Sequence, residues 1–140
     1  MPIIGMRFNE INASRLKSEI TGEIKINSTP RILSVKEITI PALKKKALTF
    51  GFEFVTKYEP GFGEIKITGE IFYTSERMNK IIDSWKKKKK LPQDVEIELL
   101  NHLFRHCLLK ISNIAEDLQL PPPLRFPVVR PKEEQTSYIG

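Results

Sequence analysis

Two histidines, one cysteine and two runs of lysine hold nearly all the reactive side chains this chain can offer outside its carboxylates. His102 and His106 stand four apart, so on a helix their imidazoles share a face. Zinc would need two further ligands, and the chain contains no other histidine. Cys107 follows His106 directly and points about 100° away around a helix, so it does not join them. Leu103 occupies the place that glutamate takes in a His-Glu-x-x-His metalloprotease helix. A polar flank or a subunit seam therefore explains the pair better than a metal. Cys107 also sits inside an apolar stripe, where a free thiol behaves as a small hydrophobe rather than a nucleophile.

Gly61-Phe-Gly63 lacks the strand-to-helix setting and the Lys-Ser/Thr of a phosphate loop, and hairpin turn chemistry accounts for it. Spacing assembles no carboxylate pair and no Ser-His-Asp set. The expectation is a protein that is not an enzyme, holds no cofactor or metal, and works through its surfaces. Lys86, Lys87, Lys88, Lys89 and Lys90, with Lys44 to Lys46 as a second cluster, form a basic patch suited to a nucleic-acid backbone. Lysines at a helix C-terminus are also what the macrodipole favours, and no RNP motif, KH loop or zinc finger accompanies them.

The elements that position these residues change period along the chain. Met6, Phe8 and Ile11 give a weak strand pattern over Met6 to Ala13. Ile20, Ile24 and Ile26 share a face over Ile20 to Asn27, and Asn27-Ser-Thr-Pro30 signals a turn. Arg31 to Ile40 predicts another strand, with Leu33, Val35, Ile38 and Ile40 inward, ended by Pro41 and followed by a connection through Lys46. Leu48, Phe50, Phe52 and Phe54 alternate, Tyr58-Glu-Pro-Gly-Phe-Gly63 turns the chain, and Ile65, Ile67, Ile71 and Tyr73 alternate again. That predicts an antiparallel hairpin with one oily face over Lys46 to Tyr58 and Gly63 to Thr74. Gly51 and Gly69 within those strands mark bulges or close backbone approaches.

Beyond Thr74 the apolar spacing becomes helical. Ser75 is the expected N-cap, with Met78, Ile81, Ile82 and Trp85 at i, i+3, i+4 and i+7. Leu91-Pro92 breaks that helix. A longer one follows from Gln93 or Asp94 to about Leu118, with Leu99, Leu100, Leu103, Phe104, Cys107, Leu108, Ile111, Ile114, Ala115 and Leu118 in its stripe. So wide a stripe suggests two neighbours, such as a sheet and a partner subunit, with Leu99, Leu103, His106 and Cys107 as the expected interface. Pro121-Pro-Pro123 then favours polyproline geometry. Leu118, Leu120, Leu124, Phe126 and Val128 make this tail apolar, which fits a strap across the domain's own sheet, one wall of a groove for a peptide, or a subunit contact, and Lys132 to Gly140 is polar.

The expectation is one α+β domain over 1–140: an antiparallel sheet of about four strands (6–74), helices near 75–90 and 94–118 packed on one face, and an extended proline-rich tail over 119–140. With 140 residues, 40% hydrophobic and 29% charged, the chain suits a folded core. The Lys-, Ile- and Glu-rich balance resembles thermophile proteins. The net charge of +6 permits an acidic partner without demanding one. A single cysteine points to a reducing compartment. No leader peptide and no membrane span are expected, so the location expected is cytoplasmic.

The order of these segments resembles the SecB family of export chaperones. The resemblance rests on the hairpin Val55-Thr-Lys-Tyr-Glu-Pro-Gly-Phe-Gly-Glu-Ile65, the strand ending Gly69-Glu-Ile-Phe72, the broken helix, and Leu118-Gln-Leu-Pro-Pro-Pro-Leu-Arg-Phe126. It covers roughly Met6 to Val129. It implies a four-stranded antiparallel sheet backed by helices, assembly as dimers of dimers, and unfolded polypeptide clients held in hydrophobic grooves without nucleotide. Relatives also serve toxin–antitoxin pairs. Leu120, Leu124, Phe126 and Val128 match the family's groove-forming segment. Two features depart from the family: the bacterial chaperone docks its export motor through an acidic sheet whereas this chain is basic, and a short final helix is replaced by Val129-Arg-Pro-Lys132 and a polar end.

Overall fold

The computed structural model describes residues 2–19 and 22–124. The strands are β1 (Ile3–Arg15), β2 (Lys25–Ile40), β3 (Lys45–Glu59) and β4 (Gly63–Tyr73); the helices are α1 (Met78–Lys88) and α2 (Gln93–Asp117). They form one antiparallel sheet in the order β1-β4-β3-β2, so the chain crosses from one edge to the other between its first two strands. Both helices cover the same face, in the α+β layering that the change of period predicts.

The central hairpin follows from its alternation. Leu48, Phe50, Phe52 and Phe54 lie opposite Tyr73, Ile71, Gly69 and Ile67, so all of these point to one side. The four β3 side chains and both isoleucines are at most 1% exposed. Each buried side chain of this size contributes about 1.5–3 kcal/mol. Gly69 is required where it stands. A methyl group there would strike the Arg7 carbonyl and lie 2.9 Å from the Phe52 ring, so the glycine leaves room for that ring against β4. The reverse face is charged, with Glu53 between Arg31 (3.8 Å) and Lys66 (3.3 Å), and Arg7 paired with Glu70 (3.1 Å).

The edge strands correct three expectations. Asn27 to Pro30 is no turn but the early part of one continuous β2. Pro30 pairs opposite Phe54 on an edge strand, where a residue without an N–H leaves no ladder partner stranded. A bulge falls between Ile32 and Ser34, leaving Leu33 unpaired and 46% exposed. That extra residue shifts the phase, so Ile26, Ile32 and Val35 face inward while Ile38 and Ile40 face the charged side. In β1 a similar shift between Phe8 and Glu10 lets Met6, Phe8, Ile11 and Ala13 share one face despite their irregular spacing. Ile20 lies outside the described residues.

Ser75 does not cap α1. Its hydroxyl accepts the Arg77 N–H at 3.0 Å one turn ahead, and the helix begins at Met78. At the other end Lys89 adopts a left-handed conformation (φ 54°) and returns its N–H to the Trp85 carbonyl at 2.9 Å. In α2, Val95, Leu99, Leu103, Cys107, Ile111 and Ala115 are buried. A row at spacing four drifts about 40° around a helix per step, so it winds to follow a twisted sheet.

Candidate functional site

α2 sits over β2, β3 and β4, and it leaves the inner face of β1 only partly roofed. Ile3, Met6 and Phe8 pack against the core yet remain half-exposed, and Ile11 is 39% exposed. Between this strand and α2 runs an open groove of about 660 Å³. Ile3, Met6 and Phe8 make its floor, His102, His106 and Leu109 its wall, and Lys110 lies at its rim. Phe8 is held edge-on against buried Phe52, with ring centres 6.4 Å apart. A second hollow of about 410 Å³ continues the groove past Pro2 and is lined by Glu98, His102, Arg105 and His106. An apolar channel with charge confined to its margins suits an extended hydrophobic chain.

The histidine rings lie 4.1 Å apart and are tilted by 38°. Burial lowers the pKa of His102, with smaller contributions from His106 and Arg105. Among the described residues no group of three or more His, Cys, Asp or Glu side chains is placed to hold a metal. Cys107 is fully buried, and burial pushes its thiol up to about 12, which keeps it protonated and unreactive.

The other expected site residues are distributed differently. Leu99, Leu103 and Cys107 have no exposed surface, because the sheet of their own chain takes up that face. Of the expected interface set only His106 remains outward, near the exposed Leu109, whereas the exposed Ile97 and Phe104 lie on the other side of α2. In the tail, Leu118 and Leu124 are half-buried, whereas Leu120 is 4% exposed. Gly63 makes room for Leu120, since a methyl group there would lie 3.0 Å from its Cδ1. Arg15 fastens this corner, with Nη1 donating to the carbonyls of Leu118 (3.2 Å) and Gln119 (2.8 Å). Phe126 and Val128 lie outside the described residues. Lys86 to Lys90 are exposed at the end of α1, on the opposite edge from the groove, and Lys89 Nζ lies 5.6 Å from the centre of the half-buried Trp85 ring.

The floor of the groove escaped the sequence reading. The only signal was the stuttering run Met6, Phe8, Ile11, Ala13, which a bulge explains but no two-residue template matches.

No family model matches the sequence, and no curated protein matches it either. Among solved structures the fold is similar to that of a SecB-like chaperone from Mycobacterium tuberculosis, solved in complex with a peptide from an antitoxin. The two align over 92% of this chain and 91% of that one, at 10% sequence identity and a TM-score of 0.50. The fold is SecB-like. At that identity the likeness is one of architecture: a SecB-like sheet with two helices on one face, bearing an apolar groove at the β1 edge. Among the described residues no helix is long and apolar enough to cross a membrane.

Proposed function

We propose that this SecB-like protein is a non-enzymatic chaperone that holds extended, unfolded polypeptide segments in the groove between β1 and α2. The observation that carries the reading is the half-exposed floor Ile3, Met6 and Phe8 beneath the exposed Leu109. Covering these side chains with a client's apolar groups contributes about 25 cal/mol per Å², before the ordering costs of binding. The antitoxin peptide bound to the structural neighbour is the kind of occupant such a groove takes. Leu118 and Leu124 extend the apolar surface from the Arg15 corner, with Leu120 as their anchor, and Phe126 and Val128 follow in the sequence as further apolar side chains for a client. Self-association, in this reading, uses the outward side of α2 at Ile97 and Phe104 rather than the buried Leu99, Leu103 and Cys107. Cytoplasmic export or toxin–antitoxin clients both fit.

The test is suppression of aggregation of a denatured model substrate. The parent should suppress it at equimolar concentration, and Leu109→Asp, an exposed position, should suppress it several-fold less. A parent that leaves aggregation unchanged refutes the reading, as does a Leu109→Asp variant indistinguishable from an active parent. A scaffold that spends its apolar surface wholly on self-association would show a large mass by light scattering and no dye-accessible oily surface.

A further inference from the structure

The histidine pair has a capacity that client holding does not use. We propose that His102 and His106 form a two-imidazole site for a borderline divalent cation (zinc, nickel or copper(II)), with water completing the coordination. Two imidazoles on successive turns of one helix are the chelating half of helix-borne metal centres. Here the ring centres are 4.1 Å apart, His106 is exposed and His102 is half-exposed, so both are within reach of solvent.

A second observation marks the same hollow as hospitable to a cation. Glu98 stands one turn before His102 and lines the 410 Å³ cavity with both rings. Its Oε1 is buried with no hydrogen-bond partner. The Tyr73 hydroxyl also faces this carboxylate, whose negative charge favours a positive neighbour. Arg105, lining the same hollow, and Lys110, at the rim of the adjoining groove, oppose the cation. The strand side contributes Pro2 and Ile3, which carry no side-chain charge. Because the cluster offers only two nitrogen ligands, the site binds more weakly than a closed four-ligand structural centre. The affinity order should follow copper(II) over nickel over cobalt over manganese, with magnesium bound least because it prefers oxygen ligands.

The experiment uses the tag-free, chelator-stripped full chain, titrated calorimetrically with copper(II), nickel, zinc and magnesium chlorides. One equivalent of the first three should bind, and magnesium should not. His102→Gln and His106→Gln should each weaken uptake by about tenfold or more, with circular dichroism showing the parent fold in both. Loss on either single variant sustains the site even if the other proves unstable. Uptake that survives both substitutions unchanged places the metal elsewhere and overturns the proposal. No uptake by the parent overturns it equally, and neither result depends on whether the groove holds clients.

Discussion

Tyr58 shows how one side chain can carry a pH signature of the whole fold. It lies fully buried opposite Gly63, its hydroxyl has no hydrogen-bond partner, and burial pushes its pKa up to about 12. A phenol in the unfolded chain ionises near 10. Between those values the folded state keeps a proton that the unfolded state releases, so stability falls as pH rises. The contribution is therefore complete below pH 10 and lost as pH climbs through about 12. Tyr73 acts in the same direction, raised to about 12 by burial first and then by the Glu98 carboxylate. Tyr58→Phe removes the unpartnered hydroxyl while keeping the ring. It should leave the urea midpoint at pH 7 unchanged or higher, and should blunt the loss of stability above pH 10. A midpoint that drops at neutral pH would mean the hydroxyl has a partner after all. Gly69 belongs to this scale too. A glycine interrupting an alternating strand was legible as a close approach, but the approaching groups, the Phe52 ring and the Arg7 carbonyl, come from two other strands.

Elements were legible in proportion to how regularly their side chains repeat. β3 and β4 lie at the centre of the sheet, pair with each other without a register shift, and have the predicted bounds to within a few residues. The edge strands carry bulges at Leu33 and near Asn9, and each bulge breaks the period on which such reasoning depends. Pro30 misled for a related reason. Its turn propensity is real, but an edge strand satisfies it without turning. The joint between β1 and the end of α2 rests on Arg15, whose Nη2 also donates to the Ser18 carbonyl at 2.8 Å. Arg15→Ala deletes these charge-assisted bonds and strands the carbonyls at the helix end. The expected cost is about 1–3 kcal/mol in urea denaturation. Hydrogen exchange should also quicken at Leu118 to Leu120, while the β3–β4 amides keep their protection; uniform acceleration would show that Arg15 supports the whole fold instead.

At the scale of the molecule, apolar and basic surfaces are segregated. The groove opens at the β1 edge, whereas Lys86 to Lys90 project from the end of α1 near the β2 edge. If client holding is hydrophobic, the basic patch is a bystander. Replacing Lys86, Lys87 and Lys88 together by glutamate should cost about 0.3–1 kcal/mol per residue against the helix dipole. Aggregation suppression should persist in that variant and in high salt. Suppression that collapses on charge reversal or with added salt would show that electrostatic contacts carry the client. Retention of nucleic acid that vanishes with the same substitutions and falls steeply with salt would favour the basic module instead.

By itself the sequence determined the layering: strands then helices, one oily sheet face, a helix with an apolar stripe and a broken end at Leu91-Pro92. Those features are written in local periodicity, which survives without knowing what packs where. Only the tertiary structure decided strand order, the phase of the edge strands, and which apolar residues are consumed inside. Leu99, Leu103 and Cys107 look as available in the sequence as Met6 and Phe8 do. The difference arises because α2 lies over β2, β3 and β4 and leaves β1 only partly roofed, and that placement is set by contacts between residues distant in the sequence.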